Sequence, residues 1–239
     1  MKKLSLKGMR ALAGAVMVCL AVSVGLVCFF SGDGAVTVSS GQASPVYFGD
    51  RKSNKAAIMF NCYENEQNII KIAEILEKHN AKATFFMGGC FVDDKPELLK
   101  RLASGGHEIG NHGYFHKSHS KLSEKQNLSE IKNTHDVIKG LCGVEMNLFA
   151  PPSGDFSKTT LKCAESLGYK TIMWSKDTID WRDRNADIIY KRATTDVRGG
   201  DFVLMHPKNE TVIALERVLE YYEKAGLKVV TVSECMQKN

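Results

Sequence analysis

The sequence predicts an α/β domain, a parallel sheet covered by helices and curled into a barrel, preceded by one N-terminal transmembrane helix and a flexible linker. Three observations carry this prediction. Strand-like and helix-like segments alternate from about residue 55 to the C-terminus. The unusual polar residues fall just after the strand-like segments, on the face where barrel enzymes keep their chemistry. An uncharged apolar run follows a basic N-terminus.

At the N-terminus, Lys2, Lys3, Lys7 and Arg10 precede ALAGAVMVCLAVSVGLVCFF, Ala11 to Phe30. A helix of that length spans a bilayer core of roughly 30 Å. The run exceeds the ~7 to 15 apolar residues of a cleavable signal peptide, and no clear small-x-small cleavage site follows. Residues 1–10 therefore read as a cytoplasmic basic tail and 11–30 as a signal anchor, with secretion after signal cleavage as the alternative. The positive-inside rule places the remainder on the extracytoplasmic side of a cell membrane that is crossed once. SGDGAVTVSSGQASP, 31 to 45, is Gly/Ser-rich without an amphipathic period, so residues 31–54 are expected as a linker and 55–239 as the folded domain.

Within that domain AAIMF (56–60) is the first strand, and the helix after it shows Ile69, Ile72, Ala73 and Leu76 on one face. ATFFM (83–87) is the second strand, followed by a helix that opens near Pro96 and stops at Gly105 and Gly106. HEIGN (107–111) is the third. Ser123 and Gln126 resemble a capping box for a long helix ending near Gly140. NLFA (147–150), YKTIMW (169–174), DFVLM (201–205) and LKVVTV (227–232) complete seven strands. No GxGxxG or Walker sequence follows the first strand, and no repeat is present.

Composition excludes some partners. The chain is 44% apolar and 25% charged, ordinary for a globular domain. Four basic and no acidic residues lie in 1–30, so of the formal +5 only +1 belongs to the rest, which removes the electrostatic case for nucleic acid. Cys19 and Cys28 lie in the apolar run. The other five cysteines, Cys62, Cys90, Cys142, Cys163 and Cys235, are too few and too dispersed for a disulfide scaffold. Oligomeric state leaves no trace in the sequence.

His112 and His116 in HEIGNHGYFH stand four apart after the third strand. Such a pair can face one metal ion on a helix or be a surface pair. Other polar residues gather at the same barrel end: Asn61 and Cys62 after strand one, Cys90 after two, FAPPSG (149–154) after four, Asp177 in SKDTIDW after five, and His206 in VLMHP after six. FAPPSG is a rigid Pro-Pro turn that can present backbone N–H groups.

Together ATFFMGG, the His-x-x-x-His of HEIGNHGYFH, the Pro-Pro-x-Gly turn, DTIDW and LMH resemble the polysaccharide deacetylase family (NodB-homology domain), in order and at similar separations over about residues 55–235. The resemblance implies a distorted (β/α)7 barrel and metal-dependent removal of N-acetyl groups from glycans. It also implies that His112 and His116 are metal ligands, that His206 is the general acid, and that Asp177 tunes that acid. Trp181 and Leu204 would line an apolar pocket for the acetyl methyl, and the backbone at Ser153 would stabilise the oxyanion.

Against the same pattern, Asn61 and Cys62 replace the two aspartates that serve as general base and metal ligand, and Ala150 replaces the arginine that orients the base. Thiolate and imidazole are both good zinc ligands, so Cys62, His112 and His116 are expected to hold a divalent metal, Zn2+ preferred over Co2+ or Mn2+, with Cys62 as a buried core residue the alternative. Cys90 reads as a fourth ligand, a disulfide partner of Cys62 or a core cysteine. Asn61 accepts no proton at neutral pH, and losing a positioned base costs about 10² to 10⁴ in rate. A metal-bound hydroxide, Glu64 or Asp155 would have to replace it. The remaining histidines, His79, His107, His119 and His135, read as solvated or structural.

The expected function is a membrane-tethered hydrolase that deacetylates N-acetylated envelope glycan, peptidoglycan above all. The alternative is a degenerate member that binds glycan or has a structural role in the envelope. Hydrolysis of another amide is a third possibility, since fold does not fix substrate.

Overall fold

The structure, a computed structural model, describes residues 43–238. The chain runs β1 (Lys55–Cys62), α1 (Glu66–Lys78), β2 (Thr84–Met87), α2 (Gly89–Val92), α3 (Pro96–Ser104), β3 (Glu108–Asn111), α4 (Glu124–Cys142), β4 (Leu148–Phe149) and α5 (Lys158–Ser166). It continues through β5 (Lys170–Thr171), β6 (Lys176–Asp177), α6 (Ala186–Thr194), β7 (Phe202–Met205), α7 (Asn209–Lys224), β8 (Lys228–Val230) and α8 (Val232–Met236). The strands form one parallel sheet in the order β5-β4-β3-β2-β1-β7-β6, with β8 paired to the start of β1. All seven expected strands are present, and the short β6 is an addition that the sequence did not announce. The edge strands β5 and β6 are not paired with each other, so the sheet is a curled half-barrel with an open seam, which fits the expected distorted (β/α)7 barrel.

Strand alternation divides the core. Ala56, Ile58, Phe60 and Cys62 on one face of β1 pack with residues of the surrounding helices, such as Ile69, Leu99, Ile131 and Leu215. Ala57 and Met59 on the other face join Phe86, Leu148, Ala150, Ile172, Phe202 and Leu204 in the barrel interior. A period of two cannot place adjacent residues of a regular strand on one face.

The helices follow their local signals. The expected face of α1, Ile69, Ile72, Ala73 and Leu76, is buried. Helix α3 opens on Pro96 and ends at Gly105. Helix α4 has a capping box between Ser123 and Gln126, and it ends with Gly143 at φ 75°, a left-handed conformation that costs glycine nothing.

Residues 46–53, expected as the end of the linker, belong to the folded unit. Val46 bridges to Ile172, Phe48 to Asp201, and Arg51 pairs with the buried Asp201 at 2.5 Å. Gly199 permits this packing, since a Cβ there would stand 1.7 Å from the carbonyl oxygen of Ser53. Among the described residues no helix is long and apolar enough to cross a membrane, and the apolar run at 11–30 lies outside the described residues.

Candidate active site

A cavity of about 540 Å³ opens at the carboxyl ends of the strands. Asn61 ends β1, His112 and His116 follow β3, Ser153 follows β4, Asp177 ends β6, and Leu204 and His206 come from the end of β7. Trp181 and Trp174 complete much of the wall. Of the expected site residues, Asn61, His112, His116, Ser153, Asp177, Trp181, Leu204 and His206 all line it. Cys62 and Ala150 do not.

The histidine pair sits on a loop. Asn111 starts the turn, its side chain accepting from the Gly113 N–H at 2.9 Å and donating to the Ile131 carbonyl at 2.8 Å. Gly113 and His116 take left-handed conformations, φ 72° and 54°. The buried Glu130 carboxylate accepts from the N–H groups of Tyr114 and Phe115, at 2.9 and 2.7 Å. These bonds set the two imidazoles 5.1 Å apart, centroid to centroid.

His112 is buried, and its Nδ1–H donates to the Ala150 carbonyl at 2.8 Å. A carbonyl only accepts, so the proton is on Nδ1, and the Nε2 lone pair is left for another partner. Burial first, then the neighbouring His116, pushes the pKa of His112 down to about 3. Desolvation and His206 hold His116 below its ordinary value as well. Ala150, whose side chain cannot replace an arginine, thus contributes its backbone.

Cys62 corrects an expectation. It lies on the helix-facing side of β1, fully buried, with Sγ 3.6 Å from the Phe60 carbonyl, while the preceding residue Asn61 lines the cavity. Burial drives its thiol pKa well up, so the group is a protonated filler and not a thiolate ligand. Among the described residues no three His, Cys, Asp or Glu side chains gather closely enough to hold a metal ion. The side chains present therefore do not fit the three-ligand zinc centre expected from the sequence. Cys90 is exposed on α2 and free, neither ligand nor disulfide partner.

Asp177 corrects another. His206 Nδ1–H donates to Asp180 Oδ1 at 2.8 Å, and the second oxygen of Asp180 accepts from the His206 backbone N–H and Thr211 Oγ1, both at 2.6 Å. Asp180, fully buried, is the carboxylate that orients His206. Asp177 lines the cavity and turns its Oδ1 back to the N–H of Ile179 at 2.8 Å. Both acids belong to DTIDW, and Asp180 adjoins Trp181; nothing in the spacing separated them.

Leu204 is buried, Trp181 is 53% exposed, and Ser153 holds φ 56° in the Pro-Pro turn. Neither candidate replacement base is free: Glu64 pairs with Lys208, and Asp155 accepts from the N–H and Oγ of Ser120. Sequence reasoning missed Tyr63, whose ring lines the cavity 5.0 Å from that of His116 and packs over Gly88. His119 and His107 are buried structural residues, bonded to Asn127 Oδ1 and to the N–H of Ala83.

Residues 49–172, just over half of the chain, match the family described as polysaccharide deacetylase. The Bacillus subtilis protein YlxY is 34% identical over 85% of this chain, which spans 64% of that relative's length. The peptidoglycan-N-acetylmuramic acid deacetylase PdaA of Bacillus subtilis is 31% identical over 80% of this chain and 74% of its own. Among solved structures, BA3943 of Bacillus anthracis, described as a CE4 family pseudoenzyme, superposes with TM-score 0.79 at 31% identity, covering 82% of this chain and 69% of that one. A mutant of it, described as having restored enzymatic activity, superposes equally well at 30% identity. With these matches and the parallel half-barrel, the chain belongs to the polysaccharide deacetylase family.

Proposed function

We propose that this chain recognises N-acetylated cell-envelope glycan, peptidoglycan above all, in the cavity at the strand ends, and that hydrolysis by the family's metal route is lost. One observation carries the reading: Cys62 faces the helices and the residue lining the cavity at the end of β1 is the carboxamide Asn61, so among the described residues the paired imidazoles lack a third ligand, while Trp181 and Leu204 give the cavity an apolar wall that suits an acetyl methyl. The names of the relatives, peptidoglycan deacetylases among them, support the class of ligand. The run from Ala11 to Phe30 would hold the domain at the outer face of the membrane.

Hydrolysis is the second reading, and one observation favours it. His206 is paired with Asp180 and lines the cavity, and a protonated His206 would pass a proton to a leaving amine. Zinc has no role in the first reading. In the second it would polarise the acetamide carbonyl, held by His112 and His116 with a donor that the protein does not supply.

Acetate release and binding, measured together on N-acetylated oligosaccharides and cell wall with added Zn2+, Co2+ or Mn2+, separate the two. Retained binding with no acetate is expected. Acetate release that disappears in His206→Ala would establish hydrolysis instead.

A further inference from the structure

We propose that Asn61 accepts a hydrogen bond from the amide N–H of an intact acetamido group, so that the cavity reads N-acetylation through a neutral acceptor. The inference rests on the glycan-binding reading above and deepens it.

Asn61 is 4% exposed, lines the cavity, and its Oδ1 is buried with no hydrogen-bond partner among the described residues. An orphaned acceptor at a buried position is a standing penalty that native proteins rarely keep without a use. A turn of the terminal amide about χ2, a broad and soft torsion, brings Oδ1 to the cavity side, where an entering donor can reach it. His112 presents a second acceptor, because its Nδ1–H is committed to Ala150 and its Nε2 is not.

The chemistry of these groups selects the ligand. A carboxylate at position 61 would take a proton from water; a carboxamide cannot, but it accepts a hydrogen bond. An acetamido group offers one N–H, with its carbonyl pointing the opposite way and its methyl beside it. The apolar wall at Leu204 and Trp181 suits that methyl. An ester of the same shape offers the carbonyl and the methyl without the N–H.

The test is calorimetric binding, in EDTA, of tri-N-acetylchitotriose against the analogue whose three acetamido groups are 2-O-acetyl esters. The wild type should prefer the amide by about tenfold, the weight of one hydrogen bond to a buried acceptor. Asn61→Leu, similar in shape, should bind the amide about tenfold more weakly and barely distinguish it from the ester. Asn61→Asp, which keeps an acceptor, should retain the preference. A melting curve for each variant shows that it is folded, and if Asn61→Leu does not fold, the wild-type amide-to-ester ratio decides alone. Equal affinity of the wild type for both sugars, or a preference that survives Asn61→Leu, would overturn the inference and leave glycan binding standing. No binding of either sugar by the wild type would overturn both.

Discussion

His206 Nδ1 lies 2.8 Å from Asp180 Oδ1, and the same carboxylate also holds the His206 backbone and Thr211. Removing a buried acceptor leaves its donors unsatisfied, at about 1–3 kcal/mol for each one. Asp180→Ala should therefore lose about 3 kcal/mol or more in urea denaturation. Asp177→Asn should stay within about 0.5 kcal/mol, because an asparagine can still accept from Ile179. Equal losses for the two would show that the pair does not bear on stability in this way.

Cys62 is sealed under the helices, whereas Cys90 is exposed. A thiol reagent applied to the native protein should label Cys90 within minutes and reach Cys62 only after unfolding, as read by peptide mass spectrometry. Cys62→Ser places a hydroxyl in an apolar setting and should cost about 1–2 kcal/mol. Native labelling of Cys62 at the rate of Cys90 would return the thiol to the cavity.

Buried histidines give the fold an acid sensitivity with a definite sign. His112 is held at about 3 and His107 at about 4, both mainly by burial, against about 6.5 for a free imidazole. Between the folded and unfolded values the unfolded chain binds more protons, so stability is complete above about pH 6.5 and falls as pH drops toward 4. Each residue should account for about 2 kcal/mol of the loss between pH 7 and 5, and His107→Phe should remove its share. A flat stability from pH 7 to 5 would contradict burial of these rings.

Much of this was legible in the residues. Seven of the strands, the face of α1, the start and stop of α3, and the capping box of α4 follow from periodicity and caps, because apolar burial and end satisfaction are local demands. The gathering of Asn61, His112, Ser153, Asp177 and His206 was visible from strand ends alone, and Leu204 only from the family resemblance. The errors came from tertiary facts. Which of Asp177 and Asp180 reaches His206 depends on how the turn after β6 folds back on β7. Cys62 was placed by analogy to an aspartate, although alternation along β1 already opposed Asn61 and Cys62. The packing of residues 46–53 rests on contacts more than a hundred residues away in sequence.

Asn61 also governs whether the cavity can take a cation. Zinc in catalytic sites is held by three protein ligands plus water, and among the described residues no third His, Cys, Asp or Glu side chain gathers with the imidazoles of His112 and His116. Asn61→Asp adds an anionic oxygen on the same wall, and a carboxylate is an ordinary zinc ligand where a carboxamide is a weak one. After dialysis against micromolar zinc, the wild type should retain well under one ion per chain and Asn61→Asp close to one. His116→Ala in the Asn61→Asp background should lose the ion, which separates this site from adventitious binding at Cys90 or the surface histidines. Equal zinc content in wild type and Asn61→Asp would mean that the paired imidazoles and position 61 do not converge on one point.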